Sequence, residues 1–208
     1  MRLLLIRHGE SVGNAERRLQ GHLDSPLNDR GRQEAARLAE RLSRLQIDTL
    51  YSSPLIRASE TAALIAAQHG LTVTHQDGLM ERDVGEAAGL TRKEILERFP
   101  DFARARTEGR QDVDVPGWEQ DGTFNERVGR ILDDITNHHD GQTVAAITHG
   151  GVIGAICRRV LNLPVVRPGP FSIDNASITT IETLGGDANM RPHLRLVTLN
   201  DTCHLDGM

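Results

Sequence analysis

Apolar positions fall along this chain in two rhythms. "RLLLIR" (2–7) is an unbroken aliphatic run closed by a turn signal, the pattern of a strand buried on both faces. In "SPLNDRGRQEAARLAERLSRL" (25–45), Leu38, Ala39, Leu42 and Leu45 recur at helical spacing with charges between them, which predicts a loop and then a helix. "IDTLYSS" (47–53) is a second short strand ending in a serine pair. "PLIRASETAALIAAQHG" (54–70) is a helix with Pro54 at its start and Gly70 at its C-cap. "LTVTHQ" (71–76) is a third strand. Residues 77–117 are irregular, glycine-rich and charged, with one helix predicted at "TRKEILERF" (91–99). "DGTFNERVGRILDDITNHH" (121–139) is an amphipathic helix whose Phe124, Val128, Ile131, Leu132 and Ile135 share a face. "QTVAAITHGG" (142–151) is another buried strand with a His-Gly-Gly turn, followed by a helix at "GVIGAICRRVLNL" (151–163). "SITTIETL" (177–184) and "HLRLVTLN" (193–200) are two final strands.

Strands alternating with helices predict a parallel-rich sheet covered on both faces. Such sheets bind ligands outside the carboxyl ends of their strands. The first strand ends at Arg7-His8, the second near Ser53 with Arg57 four residues on, and the late strand at Thr148-His149-Gly150. Three strand ends thus bring two arginines and two histidines to one edge. Residues 77–117 are the expected wall or lid over it.

The length of 208 residues fits a single domain over 1–208 carrying that insert. A net charge of -5 gives no electrostatic footprint for nucleic acid. With one lysine, Lys93, among 24 basic residues, 23 are arginines, the side chain suited to bidentate phosphate and carboxylate contacts. A coding bias explains most of them. Cys157 and Cys203 sit in no CxxC or ligand pattern, which fits a reduced, cytoplasmic protein. The apolar N-terminal run is too short for a signal peptide, and no stretch reaches the length of a membrane helix.

A phosphate monoester at the edge would carry close to two negative charges. Arg7 and Arg57 could clamp its oxygens. One neutral imidazole could attack phosphorus, and neighbouring cations help keep it neutral. The second could donate to a phosphoryl oxygen in the transition state. The leaving alkoxide then needs an acid. Glu81, in "GLMERDVGEAAGL", is placed to supply it, with burial beside phosphate expected to favour its acid form. Gly9 and the Gly150-Gly151 pair would admit backbone N–H groups to the anion. Taken singly, each of these residues has a structural explanation; their convergence does not. A metal site is disfavoured by the arginines and by the lack of a ligand motif around His8 and His149. His138, His139 and His204 read as surface residues, whereas His22 in "LQGHLDSPL" lies close to the predicted site in sequence.

"LIRHGES" with the later "ITHGG" resembles the histidine phosphatase superfamily, also called the phosphoglycerate mutase-like family. Asn14, "QGHLDSPLNDRGRQEA" (20–35) and "YSSPLIRASETA" (51–62) sharpen the resemblance, which covers about residues 2–165 and, more loosely, the final strands. It implies a three-layer α/β/α sandwich with a mostly parallel central sheet. It implies that His8 accepts the phosphoryl group, that Arg7, Arg57 and His149 complete the phosphate pocket, and that Glu81 donates the proton. Asn14 matches the RHGxxxxN pattern, and Gly21, Ser53 and Gly150 sit where the family often adds contacts. It implies two half-reactions through a phosphohistidine, no metal or other cofactor, and a small phosphorylated metabolite as partner. A homodimer is left open.

The family contains phosphatases and mutases. The short chain, the modest insert, "ERDVGEAAGL" where mutases typically carry Tyr-Gly-Gly-Leu, and "RLQGHLDSPLNDRG" where they carry Gly-Trp-x-Asp all favour the phosphatase, with a cofactor-dependent phosphoglycerate mutase as the alternative. A non-catalytic module that binds phosphorylated ligands is the third reading, and retention of His8 and Glu81 counts against it. Phe99, Phe102, Trp118 and Phe124 are candidates to line a pocket for an organic group, and Arg82, Arg92, Lys93, Arg104 and Arg106 to bind a second acidic group.

Overall fold

The computed structural model describes residues 1–108, 110, 113, 115–165, 169–184 and 193–208, with the side chain of Arg106 outside that description. Its strands are β1 (Arg2–Arg7), β2 (Thr49–Ser52), β3 (Val73–His75), β4 (Thr143–Thr148), β5 (Ile178–Leu184) and β6 (His193–Asp201). Its helices are α1 (Val12–Ala15), α2 (Asp29–Leu42), α3 (Ile56–His69), α4 (Arg92–Arg98), α5 (Pro100–Thr107), α6 (Asp121–His138) and α7 (Gly150–Val160). The strands form one sheet in the order β3-β2-β4-β1-β5-β6. The first four of these run parallel, and β5 and β6 are antiparallel to their neighbours.

The uninterrupted apolar character of β1 follows from its central position. Leu3 and Leu5 pack with Val144, Ala146, Phe124, Val128 and Ile153 on the α6–α7 side. Leu4 and Ile6 pack with Ala145, Ile147, Leu38, Ala39 and Ala62 on the α2–α3 side. Burying such side chains stabilises the fold by roughly 1.5–3 kcal/mol each. All five predicted apolar positions of α6 are buried. Three layers result, helices on both faces of a mostly parallel sheet, as expected.

The differences are local. α2 stops at Leu42, so Leu45 lies beyond the helix and is 41% exposed. β3 is shorter than its sequence pattern. The insert holds two helices rather than one, because Pro100 lacks an N–H and restricts Phe99 (φ -127°, ψ 64°), ending α4 and opening α5. Residues 109, 111, 112 and 114 of the predicted insert lie outside the described residues. Among the described residues, no helix is long and apolar enough to cross a membrane.

Candidate active site

Strand register brings the predicted residues to one level. Arg7 of β1 lies opposite Thr148 of β4, and Ser52 of β2 opposite Ile147. The pairing continues one residue further: the His8 N–H donates to the Thr148 carbonyl (3.1 Å) and the Ser53 N–H to the Ile147 carbonyl (2.9 Å). His8 and Ser53 are therefore placed by backbone bonds that continue the sheet, and His149 follows the last residue of β4. Arg57 projects from the first turn of α3.

His8 is 3% exposed, and its Nδ1 lies 2.7 Å from the Gly9 carbonyl oxygen. A carbonyl only accepts, so Nδ1 carries the proton and Nε2 keeps its lone pair. The loop behind the ring is tied down. The His8 carbonyl accepts from Asn175 Nδ2 (3.0 Å) and the Ala176 N–H (3.1 Å), and the Gly9 N–H donates to Thr61 Oγ1 (3.1 Å). Burial, then Arg7 and Arg57, push the His8 imidazole well below its ordinary pKa. His149 is also buried, 5.0 Å away between ring centroids, with Nε2 2.8 Å from Ser53 Oγ. Burial lowers its pKa as well, followed by His8, Arg57, Arg7 and His22.

The two arginines, both of which line the cavity, are held by main-chain carbonyls. Arg57 donates to the carbonyls of Gly21 (2.8 Å) and Leu23 (3.0 Å), and Arg7 to that of Ile173 (2.5 Å). The Nε atoms of both are buried without a protein partner. A buried donor without a partner is costly. Burial lowers the pKa of Arg57 to about 10 and also lowers that of Arg7, with the Glu81 charge opposing the shift in both. Both guanidinium groups remain cationic at neutral pH.

His8, Arg7, Arg57, Asn14, Gly21, Glu81 and Gly150 all line one cavity of about 520 Å³. His149 lies behind this wall, against His8. Asn14 Oδ1 accepts from Ser11 (2.9 Å to Oγ) and Asn175 (3.2 Å to Nδ2), which fixes its amide. Gly21 has φ +51°, and a Cβ there would meet Val84 Cγ2 at 2.6 Å, so only glycine brings this carbonyl to Arg57. The Glu81 carboxylate accepts the N–H groups of Arg82 (2.8 Å) and Gly151 (3.0 Å). The sequence suggested that Gly151 would face an anion, and the anion its N–H holds is Glu81. Among the described residues, no cluster of three or more His, Cys, Asp or Glu side chains could hold a metal ion.

Comparison with known proteins decides the family. The model of the histidine phosphatase superfamily (branch 1) matches residues 3–194. The chain belongs to the histidine phosphatase superfamily. It is 40% identical over 191 residues to phosphoglycerate mutase-like protein 4 of Arabidopsis thaliana, covering 89% of this chain and 80% of that one. It is 34% identical over 206 residues to phosphoserine phosphatase 1 of Hydrogenobacter thermophilus, covering 99% and 94%. Among solved structures, the mycobacterial glucosyl-3-phosphoglycerate phosphatase complexed with VO3 superposes with a TM-score of 0.82 at 29% identity, covering 96% of this chain and 98% of that one.

As a histidine phosphatase superfamily member, the chain shows several residues that its sequence did not flag. Phe171, Ser172 and Ile173 line the cavity from the approach to β5, and Asn175 links His8 to Asn14. Asn175 and the Ile173 carbonyl find partners, His8, Asn14 and Arg7, that are distant in sequence and leave no local pattern to read. Of the aromatic candidates, Trp118 lines the cavity, Phe124 is 1% exposed in the core, and Phe99 and Phe102 pack within the insert. Of the basic candidates, Arg82 lines the cavity, paired with Asp121 (2.8 Å); Arg92, Lys93 and Arg104 do not, and the Arg106 side chain lies outside the described residues. His22 does belong here, its Nε2 2.8 Å from the Glu81 carbonyl oxygen. His138 is exposed as expected, but His139 bonds Tyr51 (2.9 Å) and His204 is half-buried beside Arg41 (3.1 Å).

Proposed function

We propose that this protein is a metal-independent phosphatase of small phosphate monoesters that works through a phosphohistidine on His8. The observation that carries this reading is the tautomer of His8: the Gly9 carbonyl holds the proton on Nδ1 and leaves Nε2 nucleophilic, between two guanidinium groups. In the first half-reaction Nε2 attacks phosphorus and the ester P–O bond breaks. The leaving oxygen takes its proton from Glu81. In the second, water attacks phosphorus, Glu81 accepts the water proton, and the phosphorus–nitrogen bond breaks, returning the lone pair to Nε2 as inorganic phosphate departs.

Arg7, Arg57 and Asn14 hold the phosphoryl oxygens, and the positive charge of the arginines answers the negative charge of the transferring group. His149 lies against the His8 ring behind the cavity wall and backs the nucleophile. When Ser53 Oγ–H donates to Nε2, the proton of the neutral ring sits on Nδ1, which has no protein partner. Gly21 and Gly150 shape the pocket, Gly21 by holding Arg57 and Gly150 by lying against the Arg7 guanidinium (3.7 Å from the position of a Cβ). Relatives named phosphoserine phosphatase and glucosyl-3-phosphoglycerate phosphatase support a phosphorylated hydroxy or amino acid, or a derivative of one, as substrate. The unpaired cysteines, Cys157 and Cys203, support a cytoplasmic setting.

The second reading is a phosphoglycerate mutase, favoured by the name of the 40% identical relative. Incubation with phosphoserine, 3-phosphoglycerate, sugar phosphates and p-nitrophenyl phosphate, with chelator present, separates the two. Phosphate release is expected. Interconversion of 3- and 2-phosphoglycerate that depends on 2,3-bisphosphoglycerate, without net release, would establish the mutase instead.

A further inference from the structure

Glu81 sits on an irregular segment, between a 3₁₀ turn at Asp77–Leu79 and another at Gly85–Ala87. Neither turn includes Glu81, yet a proton donor must be held to within a fraction of an ångström. The Arg82 and Gly151 N–H groups meet its carboxylate and His22 its carbonyl, while two further side chains hold the segment on either side of it. Arg127, on the long core helix α6, donates from one terminal nitrogen to the carbonyls of Gly78 (3.1 Å) and Met80 (2.8 Å). Its other terminal nitrogen lies 3.4 Å from the Glu81 carbonyl oxygen. Glu119, just before α6, receives Arg127 in a two-point pair, Nε to Oε1 (3.0 Å) and the second terminal nitrogen to Oε2 (2.8 Å). Glu119 Oε2 also accepts the Asp83 N–H (3.2 Å), and the Glu119 N–H donates to the Asp83 carbonyl (2.9 Å). The chain is thus gripped on both sides of Glu81.

We infer that the Glu119–Arg127 pair is a positioning device for the proton donor, coupling Glu81 to the rigid helix α6. This rests on the acid role proposed for Glu81. The pair is part-buried, with side-chain exposures of 11% and 23%, so it is less screened than a surface pair. Its carbonyl contacts need a planar fork of donors, which a lysine ammonium does not reproduce. Val128, the next residue of α6, is 1% exposed in the core, so the helix cannot follow the segment if the pair is broken.

The test compares phosphoserine, whose alkoxide leaving group needs a proton, with p-nitrophenyl phosphate, whose leaving group does not. Arg127→Ala is expected to lower kcat/KM, which reads only the steps up to formation of the phosphohistidine, by about 10²-fold on phosphoserine and by less than about threefold on p-nitrophenyl phosphate. Arg127→Lys is expected to resemble Arg127→Ala, and added guanidinium ion to restore part of the loss in Arg127→Ala. Combined with Glu81→Gln, Arg127→Ala should add almost nothing, because both remove the same function. Should Arg127→Ala fail to fold, Glu119→Gln keeps the shape while breaking the ion pair, and it is expected to show the same selectivity. Equal losses of kcat/KM on both substrates, no loss, or full additivity with Glu81→Gln would overturn the inference. If Glu81→Gln itself loses kcat/KM equally on both substrates, the acid role fails instead. If Glu81→Gln is selective and the pair variants are not, the positioning role alone fails.

Discussion

At the scale of single residues, the site turns on where protons sit on two buried imidazoles. The His8 Nδ1 proton points at a carbonyl that accepts and never donates. Protonating Nε2 would bury a third positive charge beside Arg7 and Arg57. The histidine ring resonances of the folded protein should therefore show His8 and His149 neutral at pH 6.5, their ordinary midpoint, and for some distance below it. A titration of either ring at or above pH 6.5 would contradict the electrostatic account. The same shifts set a direction for stability. Below pH 6.5 the unfolded chain binds protons that the folded rings refuse. The contribution of the two histidines is complete above pH 6.5 and is lost as pH falls toward the folded pKa values. Denaturant midpoints should fall over that window, and replacing His149 with glutamine should flatten the fall.

At the scale of elements, helix α2 supports the loop that follows His8. The Asn28 side chain caps the helix by accepting the Gly31 N–H (2.7 Å) and donates to Glu10 Oε1 (2.6 Å), while Glu34 Oε2 accepts the Glu10 N–H (2.8 Å). A Cβ at Gly31 would overlap the Glu10 carbonyl. Gly31→Ala is expected to destabilise the fold by about 2 kcal/mol. It should also lower activity on activated and unactivated esters alike, since it disturbs His8 rather than Glu81. A thermal melt with both assays checks this, and an unchanged melt would show that α2 can retreat. This scale also shows what was legible beforehand. β1 and β4 are continuous apolar runs because helices cover both faces, and α6 announces itself by its buried stripe. Register then follows, and with it the meeting of Arg7, His8, Ser53 and His149. Asn175, Glu119 and Arg127 were not legible as site residues because they grip backbone groups of irregular segments, which impose no periodic demand on sequence. The second insert helix was missed because α5 has a weak apolar stripe and begins at a proline, a residue more often read as a stop.

At the scale of the whole molecule, the carboxyl edge of the sheet carries His8, the proposed nucleophile, with Arg7, while the insert carries Glu81, the proposed proton donor, and further lining of the same cavity. Arg82, Val84 and Trp118 line the same cavity as His8. This division separates the chemistry common to a superfamily from the surface that meets the rest of the substrate. The central claim is that phosphate passes through His8. Rapid acid-free quenching during turnover of phosphoserine labelled in its phosphoryl group tests it most directly. The account predicts an alkali-stable, acid-labile label on the Nε2 atom of His8. It also predicts no label in His8→Ala, with activity reduced more than about 10³-fold and the fold retained. Turnover by the wild-type protein without such a label, or a label on another residue, would contradict the account.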